Sequence, residues 1–128
     1  MVCIAVALAT ALAASAAAQQ PPAASDALRA RGKILFLRCA SCHDVAPGGV
    51  ARIGPNLHGV VGRKAGSLPD YTYSPALKAA GFVWDPAALD RWLTRPADVV
   101  PGTAMAFAGL PKAEDRRAII AYLQDQGG

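Results

Sequence analysis

The sequence predicts one all-α domain of three to five helices joined by long irregular loops. Apolar residues recur at helical spacing near both ends of the domain, as in Leu28, Leu35 and Phe36. Glycine and proline concentrate in two intervening segments, 44–73 and 95–111. No stretch alternates apolar and polar residues convincingly enough to predict a strand. The chain has 128 residues, which allows one hydrophobic core.

The N-terminal segment resembles an export signal. Residues 1–18 carry no charge, are rich in alanine, and end in three alanines that fit the small-residue cleavage rule. We therefore expect a signal peptide over 1–18, a flexible leader over 19–25, the domain over 26–128 and a periplasmic location. No basic residue precedes the apolar run, so we expect that the true start lies upstream, with an atypical signal as the other explanation. An uncleaved membrane anchor, with membrane association, stays open as the alternative, because about 18 apolar residues is the lower limit for spanning a bilayer.

Capping residues and helical spacing predict four helices in the domain. Ser25, Ser74 and Asp85 can each accept a hydrogen bond from the first turn of a helix, and a proline follows the last two at the first helical position. Pro96 is expected to stop the third helix, and Gly127 the last. The predicted helices cover residues 26–40, 74–81, 85–94 and 112–126.

The two irregular segments are unusually long for a compact domain. Turns are expected where glycine and proline meet, as in Gly54-Pro55 and Pro101-Gly102. Loops of this length are uncommon unless they serve a site, and wrapping a flat cofactor is one such use.

The strongest chemical signal is the run Cys39-Ala40-Ser41-Cys42-His43. Cys3 lies in the export segment, so Cys39 and Cys42 are the only cysteines of the remaining chain. Two thiols at this spacing can add to the vinyl groups of haem while the adjacent histidine reaches the iron, which is the c-type attachment pattern. A structural disulfide would normally close a longer loop. A zinc site would need more ligands than His58 can complete, and a redox dithiol would need a βαβ context.

A sixth iron ligand has two candidates, Met105 and His58. Methionine opposite histidine raises the reduction potential, since a thioether favours ferrous iron. Met105 lies in a loop that contains Pro101-Gly102, away from any helical stripe, which favours a ligand role over the alternative of core packing.

The formal net charge of +4 reflects thirteen basic against nine acidic residues, and all of the basic residues follow the export segment. They are scattered along the chain and are not interleaved with aromatic residues, so nucleic-acid binding is not predicted. A solvated surface and a docking face remain open as explanations of this charge.

These motifs together resemble the class I cytochromes c of the mitochondrial and related bacterial type, over residues 32 to 126. The resemblance implies the class I cytochrome c fold wrapped around one covalently attached haem c, and an electron carrier that is not an enzyme. The matching stretches are Cys39 to His43, Gly54 to Gly59, Gly62 to Lys64, Tyr71 to Tyr73, Trp84, Pro101 to Gly109 and Ile120 to Leu123.

The resemblance also implies roles for individual residues. His43 and Met105 would be the axial ligands, with His58 unligated on the surface, and the Pro55 carbonyl would accept the ring N–H of His43. On the first and last helices, Gly32 and Phe36 would cross Ile119 and Tyr122, and Phe107 would lie beside the exposed haem edge. The residues expected around the haem propionates are Arg63, Tyr71, Tyr73, Trp84 and Thr103.

Two departures from the family pattern stand out. Trp92 replaces a usual Tyr, and Leu77 replaces a common Asn, so the polar network near the methionine is expected to be altered. The docking face is expected to be less basic than in mitochondrial members. Basic residues that could ring the haem edge are Lys33, Arg38, Arg52 and Lys112, whereas Ala97, Asp98 and Ala104 stand where lysines are common.

The predicted function is the shuttling of single electrons by one haem. The expected donor is a quinol:cytochrome c oxidoreductase, and the expected acceptor is a terminal oxidase, a photosynthetic reaction centre or a peroxidase, each docking transiently at the haem edge. Two alternatives stay open. An enzyme or gas sensor would need Met105 not to bind iron, and a subunit docked permanently in a larger complex would have the same motifs.

Overall fold

The structure is a computed structural model and describes residues 25–127. The predicted signal peptide and all of the predicted leader except Ser25 lie outside the described residues. Within them the chain forms five helices and no strand, apart from an isolated bridge between Lys64 and Val83. The all-α prediction is therefore confirmed. The helices are α1 Asp26–Phe36, α2 Pro75–Ala79, α3 Pro86–Thr94, α4 Pro96–Val99 and α5 Ala113–Asp125.

Three of the helices begin at the predicted caps. Ser25, Ser74 and Asp85 each have extended backbone and accept a hydrogen bond from the residue three positions later. These bonds satisfy N–H groups that the helix itself leaves without partners. The donor to acceptor distances are 3.2 Å for Ser25 and Ser74 and 2.7 Å for Asp85.

The structure differs from the prediction at two helix ends. α1 ends at Phe36, four residues early, because tighter turns follow: the Cys39 N–H donates to the Phe36 carbonyl at 2.7 Å. α4 was not predicted, since Pro96 was expected only to stop α3. A proline lacks the N–H that the first turn does not need, so Pro96 instead begins a short helix.

α1 and α5 cross at close range, as the resemblance implied. A Cβ built on Gly32 would overlap the Ala118 carbonyl and lie 2.8 Å from Cβ of Tyr122, so only glycine fits there without a shift. One turn on, the rings of Phe36 and Tyr122 pack with centroids 5.3 Å apart. Ile119 lies fully buried in the core that this crossing closes.

Arg116 ties the end of the methionine loop to two helices. Its Nε donates to Asp90 on α3 at 2.8 Å, and its Nη1 donates to the carbonyls of Leu110 and Pro111 at 2.9 and 3.0 Å. The Leu110 N–H in turn donates to the Leu93 carbonyl at 2.7 Å. The loop carrying Met105 is therefore anchored at its C-terminal end.

The buried side chain of Asn56 organises the loop that follows the cysteines. Its amide nitrogen donates to the carbonyls of Ala46 and Gly49, and its oxygen accepts the His58 N–H at 2.7 Å. A long irregular segment thus has its own polar framework in place of helix or sheet bonds. Among the helices of residues 25–127, none has the length and apolar character needed to cross a membrane.

Candidate functional site

A cavity of about 290 Å³ lies at the centre of the fold. Its walls are mainly apolar and come from α1, α2, α3, α5 and both irregular loops. All of the residues predicted for the site line it, which brings together positions from 39 to 105. They are Cys39, Cys42, His43, Pro55, Arg63, Tyr71, Tyr73, Trp84, Thr103 and Met105.

The two cysteines lie in the turns that follow α1. The Cys42 N–H donates to the Cys39 carbonyl at 3.0 Å, and the His43 N–H donates to the same carbonyl at 2.9 Å. Both cysteine side chains are half-buried, and both line the cavity wall. Burial raises the pKa of the Cys39 thiol, while nearby Arg38 acts in the opposite direction.

The imidazole of His43 is fixed in orientation and tautomer. Its Nδ1 lies 2.7 Å from the Pro55 carbonyl oxygen, which can only accept, so Nδ1 carries the proton and Nε2 keeps its lone pair. Burial lowers the pKa of this imidazole, and the hydrogen bond offsets only part of that effect. A neutral ring with Nε2 available is the form that binds a metal.

Gly54 leaves the space that the His43 ring occupies. A Cβ built there would lie 2.7 Å from Nδ1 and 2.8 Å from Nε2, closer than real Cβ contacts. The glycine before Pro55 is therefore needed for the approach of the ring, whichever group binds at Nε2.

Met105 reaches the cavity from the loop between α4 and α5. Its backbone N–H donates to Oγ1 of Thr103 at 3.3 Å, and its side chain is half-buried.

His58, the other ligand candidate, does not line the cavity. It is half-buried, where the resemblance implied a surface position, and its Nδ1 is buried without a hydrogen-bond partner.

Polar groups gather on one part of the cavity wall. Arg63 donates to the carbonyls of His58 and Asn56 at 2.9 and 3.0 Å, which uses only part of its N–H set. Burial lowers the pKa of this guanidinium, which stays cationic. The Tyr71 hydroxyl donates to the Ile53 carbonyl at 2.9 Å, so it is already engaged.

The phenol of Tyr73 packs edge-on against Tyr71, with ring centroids 4.8 Å apart. Burial raises the pKa of Tyr73, so this hydroxyl remains protonated and able to donate well above neutral pH. Tyr71 and Tyr73 therefore place two phenols on the cavity wall, which Arg63 also lines.

Two indoles lie side by side on the wall. The rings of Trp84 and Trp92 pack edge-on with centroids 5.1 Å apart, and the ring of Phe82 packs edge-on against Trp84 with centroids 4.7 Å apart. Trp92 is only 6% exposed, and Leu77 lines the same cavity. Both departures from the family pattern therefore border the site.

The apolar walls of the site were not predicted from the sequence. Helical spacing at Leu89 and Leu93, and at Ile119 and Leu123, was a signal that could have found them. The spacing alone could not show that these residues face a cavity instead of one another. The apolar lining residues not predicted include Leu57, Val60, Leu89, Leu93, Ile119 and Leu123.

The donor set fits a covalently bound haem. The cavity offers two thiols at the attachment spacing, a neutral imidazole beside them, a thioether, and apolar walls for a porphyrin face. Within residues 25–127, no three His, Cys, Asp or Glu side chains are grouped so that they could hold a metal ion.

Comparison with known proteins identifies the family. The family model described as Cytochrome c matches residues 29–127. Cytochrome c2 of Rhodomicrobium vannielii is 46% identical over 98 residues, covering 77% of this chain and 78% of that protein. Cytochrome c of Gibberella zeae is 49% identical over 96 residues, covering 74% and 91%. The structure of cytochrome cH from Methylobacterium extorquens superposes with a TM-score of 0.72 at 42% identity, covering 76% and 97%. The chain therefore belongs to the cytochrome c family, as a class I c-type cytochrome that carries one haem c bound through Cys39 and Cys42 and acts as an electron carrier, not an enzyme.

Proposed function

We propose that this protein is a periplasmic single-electron carrier whose haem iron is ligated by His43 and Met105. The observation that carries the proposal is which side chains line the cavity. Besides the two cysteines, His43 and Met105 are the side chains on its wall that are able to bind low-spin iron. His58 lies outside that wall.

When bound, haem supplies an iron centre that gains and loses one electron. The protein chain has to hold the iron ligands in place in both the oxidised and the reduced state. The Pro55 carbonyl holds the His43 ring and increases its donation, and the anchored loop around Met105 limits movement of the thioether. Apolar walls exclude water, so little has to reorganise when the charge changes.

The polar part of the wall is proposed to hold the haem propionates. Arg63 can offer a cation with unused N–H groups, and Tyr73 and Trp84 can offer neutral donors. Thr103 lines the same cavity with a hydroxyl that can donate, and Tyr71 lines it too, although its hydroxyl would have to leave the Ile53 carbonyl before it could donate to a propionate. A buried carboxylate needs such donors or an opposite charge, and this set supplies both kinds.

The proposed electron donors and acceptors are those available to an exported carrier. Residues 1–18 are uncharged and end in small residues, which supports a cleaved signal peptide, a leader over 19–25 and a domain over 26–128. Electrons would come from a quinol:cytochrome c oxidoreductase and pass to a terminal oxidase, a reaction centre or a peroxidase in the respiratory or photosynthetic chain. Each partner would dock transiently at the haem edge.

The test is replacement of Met105 by Ala in the holoprotein, with His58→Ala as the matched control. Met105→Ala should keep its haem, lose the ferric absorption band at the red end of the spectrum, lower the potential and bind carbon monoxide, because the sixth position opens. His58→Ala should keep the band and the potential. A Met105→Ala protein with unchanged spectrum and potential would exclude this ligand.

A further inference from the structure

A short segment, residues 52–55, is hydrogen-bonded to the attachment turn and to the histidine that ends it. The Gly54 N–H donates to the Cys42 carbonyl at 2.8 Å, and the Pro55 carbonyl accepts from Nδ1 of His43 at 2.7 Å. We call residues 52–55 the brace. The orientation of the His43 ring therefore depends on where the brace lies.

The two other residues of the brace each have a hydrogen bond of their own. The Arg52 side chain donates to the Ala40 carbonyl, which lies between the two cysteines, at 3.1 Å. The Ile53 carbonyl accepts the Tyr71 hydroxyl at 2.9 Å, across 18 positions of sequence. These two bonds tie the brace to parts of the protein other than the histidine ring.

Few other contacts hold the brace in place. Within residues 25–127, these four bonds are the only hydrogen bonds that residues 50–55 make with the rest of the protein. The side chains of Val50 and Ile53 are 73% and 77% exposed, so they contribute little apolar packing. In a segment with so few contacts, each hydrogen bond accounts for a large share of the local stability.

The Tyr71 hydroxyl has one proton to donate, so it cannot donate to the Ile53 carbonyl and to a haem propionate at once. Other donors on the same cavity wall remain for a propionate, namely Arg63, Tyr73 and Trp84. Within the described part of the chain, no second donor is bonded to the Ile53 carbonyl. The bond from Tyr71 to the brace is therefore the one that has no substitute.

We propose that Arg52 and Tyr71 are positioning residues for the iron ligand His43, and that they act on it through the brace. The inference rests on the proposed function, since it takes His43 as an iron ligand. With both bonds in place, the Pro55 carbonyl stays within hydrogen-bonding distance of Nδ1, so the ring keeps its orientation and its donation to iron. Loss of either bond lets the brace open more often, which weakens the bond to the ring.

The test compares the wild-type holoprotein with Tyr71→Phe, Arg52→Gln and the double variant. Tyr122→Phe and Arg117→Gln are the matched controls. Within residues 25–127 the Tyr122 hydroxyl and the Arg117 side chain make no hydrogen bond, and neither residue lines the cavity. If Arg52→Gln yields no holoprotein, Tyr71→Phe decides the question alone, because it removes only one oxygen atom.

The first readout is the hydrogen exchange of two protons, the Gly54 N–H and Nδ1–H of His43, followed by magnetic resonance of the ferrous holoprotein at one pH. Loss of one bond to the brace should raise both exchange rates by about fivefold, which is the effect of one hydrogen bond on local opening. The double variant should exchange faster than either single variant, and both controls should match the wild type.

The second readout is the reduction potential of Tyr71→Phe, a substitution that changes no charge. A weaker bond to Pro55 reduces the donation of His43 to iron, and a poorer donor stabilises ferric iron less. The potential should therefore be higher than in the wild type and in Tyr122→Phe. If the hydroxyl donates to a propionate instead, its removal leaves more negative charge near the iron, and a lower potential would overturn the inference.

Failure of this inference is distinguishable from failure of the proposed function. Wild-type ring signals of His43 that lack the large shifts caused by ferric iron would overturn the proposed ligand. Normal ligand signals, with exchange rates in Tyr71→Phe and Arg52→Gln equal to those of the controls, would overturn the positioning role alone. A lower melting temperature with unchanged exchange and potential would also overturn it, because the two residues would then contribute only to stability.

Discussion

The ring of His43 and the carbonyl of Pro55 meet at 2.7 Å although twelve positions of sequence separate them. The loop between them turns back so that the Gly54 N–H donates to the Cys42 carbonyl at 2.8 Å. The orientation of the proposed iron ligand therefore depends on a loop without regular structure, and changes in that loop should be visible at the iron.

Gly54→Ala should disturb the iron ligand directly. The added Cβ would lie within 2.8 Å of both ring nitrogens of His43, so the ring or the loop must move. We expect a loss of about 1–3 kcal/mol in the free energy of unfolding, as for other overpacked sites. The proximal imidazole signals in magnetic resonance of the holoprotein should shift or broaden.

The matched control is Gly48→Ala in the same loop. Gly48 has a φ of 67° and no atom near its added Cβ, so alanine there costs only the backbone strain of about 1–2 kcal/mol. Its imidazole signals should stay in place. Identical spectra for both variants would contradict a direct contact between position 54 and the ring.

Asp44→Asn should lower stability in a pH-dependent way. The Asp44 carboxylate accepts the N–H groups of Val45 and Ala46 at 2.7 and 3.0 Å, and these bonds hold its pKa below the ordinary value. The stabilisation is therefore present above about pH 4 and is lost as the pH falls through the lowered native pKa. Thermal melts should show wild type above Asp44→Asn at pH 7, with the gap closing in acid. A gap that widens in acid would reverse the assigned sign.

Arg116→Gln should loosen the loop that carries Met105. The Arg116 side chain is 11% exposed and holds Asp90 as well as the Leu110 and Pro111 carbonyls, so its loss leaves acceptors unsatisfied at a cost of about 1–3 kcal/mol. The red-end ferric band should disappear at lower temperature than in wild type. Arg117→Gln, an exposed neighbour on the same helix, is the control and should leave the band unchanged.

The fold is predictable where local chemistry decides it. The caps at Ser25, Ser74 and Asp85 and the apolar spacing of α5 each depend only on residues that are close together in the sequence. The prediction from sequence was incomplete at Pro96, because this proline follows the end of α3 and also suits the first position of α4. α1 was predicted to be too long because hydrogen-bonded turns continue beyond Phe36 up to His43. Most of their N–H groups donate to the carbonyl three residues earlier, as Cys39 does to Phe36, so the α-helix does not continue.

The site was predictable as a set of residues but not as a surface. The attachment motif and the lone loop methionine each carry their own chemistry, whereas the apolar wall of the cavity depends on how helices and loops that are distant in sequence meet. The position of His58 illustrates the same limit. Its backbone is held by two side chains: its N–H donates to the Asn56 side-chain oxygen, and its carbonyl accepts from Arg63. These bonds place the side chain where its Nδ1 is buried without a partner.

The last prediction concerns alkaline pH. In mitochondrial members of the family, lysines of the methionine loop can replace the sulfur on ferric iron once their amines lose a proton. This chain has no lysine between Lys78 and Lys112. Arg91 and Arg95 cannot substitute, since a guanidinium stays protonated and has no lone pair to offer.

Each remaining lysine near the site would need a structural change to reach the iron. Lys112 caps α5, where its carbonyl accepts from Asp115 and Arg116, and Lys64 is held in the bridge to Val83. Lys78 lies exposed on the five-residue α2 and would need the smallest rearrangement. We therefore expect the methionine band to survive to higher pH than in family members that have a lysine in the methionine loop. We also expect the alkaline form to use hydroxide or Lys78 before Lys64 or Lys112.

Magnetic resonance of the ferric holoprotein through an alkaline titration distinguishes these ligands, with Lys78→Ala compared against Lys33→Ala as the control on α1. Because only the three named lysines are expected to compete, a lysine-ligated species that persists after Lys64, Lys78 and Lys112 are all replaced by Ala would refute the prediction.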